Sequence, residues 1–406
     1  MMTESSVLDG KGQPNTGGIV SVIDLWEGGT GAINDFAMPD TLPDEQLDSV
    51  SRLARNFLGV DSVLITLVDR DGKPHRSPAG IRVVESSQRD AFFDYAIRQP
   101  DYLLVHDARE DPRFRESPQV ASLPGIRFYA GLPLEVPGGG RIGVLSVSHS
   151  EPRDLSPAEL AVVRDLAAWA QRELALLQEL EQATQVQRGL LPKRMVGLPG
   201  FDVAGDCATA KAVGGDFYDW YPIAQGAAFT LADVMGKGIG AAIIAATVRA
   251  VLRAGSRGHP LVEVVESAAA ILESDLDEAG TFVTLFHARL NIITGVVHYV
   301  DAGHGLSLVV RADGSTQRLA STGFPLGVDP DESWPQDSVI LGPGDTLVTV
   351  SDGVLDLFGG TLAALDDVEQ IVREGRTAQA VVDEILGRAG RSALDDVTAV
   401  VVRREG

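Results

Sequence analysis

The chain has 406 residues, more than one hydrophobic core comfortably supports, so two or three domains are expected. Hydrophobic residues at 44% and charged residues at 22% exclude a wholly disordered chain, and a net charge of −23 argues against non-specific binding to nucleic acid or anionic lipid. A single cysteine, Cys207, excludes an internal disulfide framework and any zinc site built on paired cysteines. The longest apolar run, residues 240–248, falls far short of the ~18 residues that span a bilayer. The N-terminus lacks the basic start and apolar stretch of a signal peptide, so a cytoplasmic protein without membrane or nucleic-acid partners is expected.

Residues 1–38 are rich in Gly, Ser, Asp and Asn with little apolar periodicity, and are expected to form a disordered tail, with a short apolar run at 19–26. From residue 39 to 155 helical and strand patterns alternate. Leu47, Val50, Leu53, Ala54 and Phe57 recur at helical spacing, and Val63, Ile65 and Leu67 then alternate as a strand. Asp71-Gly72 marks a hairpin turn, a helix is expected over 87–98, and strands over 128–136 and 141–148 are joined by the glycine-rich segment 137–140. The strings "HDAREDPRF", "GIRFYAGLPLEV" and "RIGVLSVSHSEPRDLSPAELAVVRDLA" resemble a GAF domain over residues 42–178. The resemblance implies an α/β sensor fold and leaves the ligand unknown. The stretch has no cysteine for bilin attachment, and His75, His106 and His149 are scattered rather than clustered.

Residues 156–194 form a helical linker. Leu160, Val163, Ala167, Ala170, Leu174 and Leu177 step by three and four, as the seam of a two-stranded coiled coil requires, which points to a parallel homodimer. An amphipathic helix docked on its own domain has the same spacing. Glu181 interrupts this seam, and Leu180, Ala183, Gln187 and Leu190 suggest a shifted one.

Beyond residue 195 strands are expected at 202–208, 216–223, 227–234, 281–291, 296–301, 306–311, 336–341, 346–351 and 397–403, with helices at 239–253, 261–276, 365–374 and 378–387. Many strands framed by two helical hairpins suggest stacked sheets with helices outside, an α-β-β-α sandwich. The whole chain is then an α/β multi-domain protein.

Acidic residues in this half sit where strands begin or end: Asp216 in "VGGDFYDW", Asp233 in "FTLADVMGKGIGAA", Asp352 in "TLVTVSDGVLD", and Asp395-Asp396 in "ALDDVTAVVV". Carboxylates converging at strand ends would repel strongly unless cations neutralised them. An oxygen-only donor set selects hard ions, Mn²⁺ or Mg²⁺, and two such ions can activate a water and clamp an in-line phosphoryl displacement. Singly, each motif is as readily a turn or a solvated strand start. Together, with "LLP", "FVTLFHARLNIITGVVHYVDAGH" and "GFPLG", they resemble the SpoIIE-like branch of the 2C-type, metal-dependent protein phosphatases over residues 186–404.

That resemblance implies hydrolysis of phosphoserine or phosphothreonine on a partner protein, with a phosphorylated anti-sigma factor antagonist of the STAS type as substrate and the GAF domain as regulator. It implies that Asp233 bridges two metal ions, with the Val234 carbonyl as a further ligand. Asp352 would hold one of the two ions; of the adjacent pair Asp395 fits the other acidic ligand better and Asp396 stands at the family's Asn position, both being kept as metal ligands, and Asp216 would hold the second ion directly or through water; Asp219 is a weaker candidate. Asp233 and Asp352 are the residues expected to be catalytic. The sequence departs from the family in having no arginine at 209–215 to bind phosphate, where Lys211 is the one cation. His304 in "DAGHG" is a candidate general acid or a structural turn histidine. The string "GGDFY" is similar to a diguanylate cyclase signature, but Phe217 stands where that chemistry needs an acid. The alternative to an enzyme is a non-catalytic binding module with a phosphatase-like fold.

Overall fold

The computed structural model describes residues 44–68, 74–76, 91–136, 140–192, 197–256, 258–389 and 394–406. The expected tail, the Asp71-Gly72 turn and most of the 137–140 connection lie outside the described residues. The chain divides into two units, one ending at Glu179 and one starting at Leu180.

The first unit contains α1 (Asp44–Leu58), β1 (Ser62–Val68), β2 (Pro74–Arg76), α2 (Ala91–Ala96), β3 (Leu103–Val105), α3 (Pro118–Ala121), β4 (Phe128–Glu135), β5 (Arg141–His149) and most of α4 (Pro157–Leu190). Its sheet is antiparallel in the order β2-β1-β5-β4-β3. Alternation along the strands sends side chains to two apolar layers. On one face Val63, Ile65, Phe128, Leu132 and Leu145 pack under Ala54 and Leu58 of α1 and Val163, Ala167, Ala170 and Leu174 of α4. On the other, Tyr129 and Val144 pack with Phe92, Phe114 and Val120. Phe92 and Phe114 stack with ring centroids 4.3 Å apart.

The helix runs over Pro157–Leu190, and the seam residues Val163, Ala167, Ala170 and Leu174 are spent inside their own unit. The physical reason is that the curved sheet offers them a covered apolar surface, which satisfies the same three-and-four spacing as a partner helix. A second row is less enclosed: Val162 and Trp169 pack partly buried against the same core, and Leu176 is 51% exposed.

The second unit contains β6 (Phe201–Ala208), β7 (Asp216–Ile223), β8 (Gly226–Val234), α5 (Ile239–Gly255), α6 (Leu261–Ala279), β9 (Val283–Asn291), β10 (Val296–Ala302), β11 (Ser307–Val310), β12 (Thr316–Arg318), β13 (Asp337–Ile340), β14 (Thr346–Val350), α7 (Gly353–Leu357), α8 (Ala364–Glu374), α9 (Ala378–Ala389) and β15 (Val397–Arg404). Two antiparallel sheets form, ordered β13-β10-β9-β8-β7 and β12-β11-β14-β15-β6. Their facing sides share one core, in which Tyr218, Trp220, Phe229 and Phe286 meet Val203, Leu347, Val400 and Val402. The outer side of the first sheet is covered by α5 and α6 through Val248, Leu252, Val265 and Leu272. The outer side of the second is covered by α7–α9 through Val354, Val368 and Val382. This is the expected α-β-β-α sandwich. Strand β15 shows how period two builds it, with Val397, Ala399 and Val401 facing helices and Val400 and Val402 facing the other sheet.

Leu174 is 1% exposed. Leu174→Ala is expected to destabilise the first unit by about 2–4 kcal/mol through the cavity it leaves. Arg172 lies exposed on the same helix, and Arg172→Ala should change stability by less than about 0.5 kcal/mol. Urea denaturation measures both, and equal effects would contradict the packing described.

Candidate active site

Antiparallel pairing brings distant acids to one end of the sandwich. Asp216 opens β7 and Asp233 lies one residue from the end of β8, and the register sets them directly opposite each other. In the other sheet β14 ends beside the start of β15, with Val350 opposite Ala399, so Asp352 follows one strand where Asp395 and Asp396 precede its neighbour. The two sheets are tied at this end by Thr398, whose hydroxyl donates to Asp216 Oδ2 at 2.6 Å. Ser351 and Thr398 brace each other through Thr398 N–H to Ser351 Oγ at 2.8 Å and Ser351 N–H to the Thr398 carbonyl at 2.9 Å.

The charges are in conflict. Asp216 is 3% exposed, and burial first, then the neighbouring Asp233, push its carboxyl well above the usual carboxylate range. Burial followed by the charge of Asp352 pushes Asp233 up to about 7, with a hydrogen bond shared with Asp216 acting the other way. Asp352 is also raised, by partial burial and then by Asp395. Four side chains from four strand ends thus feel one another. Among the described residues, the one cation paired with any of them is Lys237, whose Nζ lies 2.8 Å from Asp395 Oδ2.

Asp396 has another task. Its Oδ1 accepts from Ala210 N–H at 2.7 Å, and its Oδ2 accepts from Gly215 N–H at 2.7 Å and Asp216 N–H at 3.4 Å. Both oxygens are therefore spent on the 209–216 backbone, which they pin beside the first acid. The same segment is held from its other side by α4: Thr184 Oγ1 donates to the Ala212 carbonyl at 2.7 Å, and the Gln187 amide bonds both the Gly214 carbonyl (2.7 Å) and the Gly214 N–H (3.1 Å). Glycine is required here by space. A Cβ on Gly214 would strike the Asp396 carboxylate, and one on Gly215 would lie 2.6 Å from the Val234 carbonyl oxygen.

Among the described residues no three acidic, histidine or cysteine side chains are already gathered closely enough to enclose a metal. The donor chemistry nonetheless fits hard cations. The acids are oxygen donors, Asp216 and Asp233 are held near the Val234 backbone, and their mutual repulsion is the kind that divalent ions relieve.

Two residues weighed from the sequence lie elsewhere. Asp219 is 2% exposed and faces α5, where Arg249 (3.3 Å) and Arg253 (3.0 Å) engage its carboxylate; it is a structural ion pair beneath a helix. The cause is the strand period: three residues along β7 from Asp216, its side chain points to the opposite face. His304 is buried, bonded through Nε2 to Thr349 Oγ1 at 3.0 Å, and burial lowers its pKa to about 4, so it stays neutral near pH 7. Lys211 is exposed. The sequence reading passed over Lys237, although "DVMGKG" places it between glycines four residues after Asp233; it passed over Thr398, which carries no local signal, and it took Gln187 only as a position of the shifted seam.

Asp233 is an internal test of this electrostatic picture. Its folded pKa, about 7, exceeds the usual value, so its contribution to stability is present at low pH and is lost as pH rises through about 7. Asp233→Asn is expected to stabilise the metal-free protein at pH 8 by about 1 kcal/mol, and to flatten the pH dependence between about 4 and 7. Thermal denaturation in chelator tests this; a destabilised variant with unaltered pH dependence would contradict it. Asp219→Ala, by contrast, is expected to cost about 3 kcal/mol, chiefly by leaving the mostly buried Arg249 without its carboxylate, with divalent-cation affinity unchanged in calorimetry.

Comparison with known proteins agrees with this architecture. Residues 224–405 match the family model described as stage II sporulation protein E, and residues 43–174 match the GAF domain model. Protein IcfG of Synechocystis sp. is 28% identical over 264 residues, covering 56% of this chain and 41% of that protein. Phosphoserine phosphatase RsbU of Bacillus subtilis is 27% identical over 238 residues, covering 56% of this chain and 70% of that protein. The chain therefore spans well under half of the length of IcfG. The SiaA-PP2C domain of Pseudomonas aeruginosa shares the fold, with a TM-score of 0.50 and 20% identity over 58% of this chain and 98% of that domain. The chain thus carries a GAF domain at residues 43–174 followed by a SpoIIE domain at residues 224–405, and its second unit shares the fold of the SiaA-PP2C domain.

Proposed function

We propose that the second unit is a divalent-metal-dependent phosphatase acting on phosphoserine or phosphothreonine of a partner protein. The observation that carries this reading is the convergence of Asp216, Asp233, Asp352 and Asp395 from four strand ends, with one lysine as counter-charge among the described residues. Asp233, central to the group, would bridge two Mn²⁺ or Mg²⁺ ions, with Asp216, Asp352, Asp395 and the Val234 carbonyl completing the donors. When bound, the ions would supply water activation and neutralisation of phosphoryl charge. The protein's own part is to hold the carboxylates in place. Thr398 orients Asp216, and Asp396 fixes the loop before it, so Asp396 supports the site and leaves ligation to Asp395.

The substrate we propose is a phosphorylated STAS-type anti-sigma factor antagonist, in keeping with the similarity to RsbU. Regulation by the GAF domain, whose ligand is unassigned, has a physical route. The first turns of α4 are part of the sensor core, and its last turns carry Thr184 and Gln187, which hold the loop leading to Asp216. A homodimer is the oligomeric state we propose, through Val162, Trp169 and Leu176 at seven-residue spacing rather than through the seam expected from sequence. No helix among the described residues is long and apolar enough to cross a membrane; a cytoplasmic location is part of the proposal.

The second reading, a non-catalytic binding module, is favoured by one observation, that no three described side chains already enclose a metal. Phosphate release from the phosphorylated antagonist in Mn²⁺ separates the two. Asp233→Ala is expected to reduce the rate by roughly 10²-fold or more, the scale of losing one preorganised electrostatic group. Undiminished release in that variant would overturn the assigned site, and absence of calorimetric Mn²⁺ binding by the native chain would favour the binding module.

A further inference from the structure

A phosphatase must hold a dianion among carboxylates, and it needs positive charge besides the metals. The segment 209–215 does not provide it. Its amides at Ala210, Gly214 and Gly215 are taken by Asp396 and Gln187, and among the described residues Lys211 makes no ion pair with the site acids. Among the described residues, the cation paired with these acids is Lys237. Its Nζ donates to the Leu394 carbonyl at 2.5 Å and lies 2.8 Å from Asp395 Oδ2.

Three features suit Lys237 to a mobile anion rather than to a fixed structural pair. An ammonium has three donors, and the two bonds just given leave one N–H free. The side chain is 38% exposed, so the group can move without breaking a core. The residue also stands between Gly236 and Gly238, whose φ angles of 113° and 91° belong to backbone that side chains rarely adopt, which leaves the lysine on a narrow arch. Asp395 Oδ1 is meanwhile occupied by the Asp396 N–H at 2.9 Å, so Oδ2 is the oxygen for which a cation and the lysine compete. Once cations share the charge of Asp395, the attraction that holds Lys237 there weakens. A phosphoryl dianion then becomes the strongest acceptor in its reach.

Resting on the phosphatase reading, we infer that Lys237 binds the phosphoryl oxygens of substrate and of product phosphate, supplying the cation that the 209–215 segment lacks. No bond is made or broken by the lysine; it contributes charge and hydrogen bonds to the bound phosphoryl group.

The test is calorimetric titration of inorganic phosphate into the full-length, Mn²⁺-loaded protein, with phosphate inhibition of turnover as a second readout. Lys237→Met is expected to weaken phosphate binding about tenfold or more, the scale of one charged hydrogen bond, and to raise KM more than it lowers kcat. Lys237→Arg is expected to restore most of the affinity. Mn²⁺ affinity should change less than about threefold in either variant. Unchanged phosphate affinity in Lys237→Met would overturn the inference, as would weaker Mn²⁺ binding with normal phosphate binding, which would make Lys237 a positioning group for Asp395. Failure of the native chain to hydrolyse a phosphoprotein would sink the phosphatase reading by itself, because the phosphate titration still decides the role of Lys237.

Discussion

The constraint on which the second unit depends is a repulsion. The register of β7 and β8 places Asp216 directly opposite Asp233, and like charges facing each other across an antiparallel pair destabilise the sheet. The fold accepts this at a strand end, where one side opens to Asp352 and the rest is buried. It responds by raising the carboxyl pKa values and by a hydrogen bond between the two acids, so that protons stand where positive charge is wanted. Such a group is poorly suited to stability and well suited to capturing cations, which is the usual trade at a functional site.

Everything around the acids acts to keep them in this arrangement. Thr398 crosses from one sheet to Asp216 in the other, Ser351 braces Thr398, and Asp396 gives both oxygens to the loop that delivers Asp216. Thr184 and Gln187 hold the same loop from the side of α4. These bonds run mostly to backbone atoms, so they fix chain position without adding charge of either sign, apart from Asp396 itself. The loop before Asp216 is thereby tied to the last turns of α4.

Much of this was legible in the sequence because the strands of the second unit obey period two between glycine-rich turns, and the acids fall at their ends. The sandwich and the acid-bearing strand ends follow from that pattern alone. Short elements escaped: β12 has three residues and α7 five, too few for a period to register. The roles of Asp395 and Asp396 were not separable by residue type, because adjacent carboxylates differ only in which way the chain turns them. The α4 seam was misassigned for a related reason. Val163, Ala167, Ala170 and Leu174 have a spacing that serves a partner helix and a domestic sheet equally, and only the packed structure distinguishes them. Asp219 illustrates the converse, a carboxylate near a motif whose strand parity alone removes it from the site.

The central claim, that these strand ends form a cage for hard cations, is tested most directly by anomalous diffraction at the manganese edge from crystals grown with Mn²⁺. The expected result is anomalous density within coordinating distance of Asp233 and at least two of Asp216, Asp352 and Asp395, with Asp396 still bonded to the 210 and 215 amides. Density confined to other parts of the surface, or a native-like fold with no density at Asp233 under saturating Mn²⁺, would contradict it.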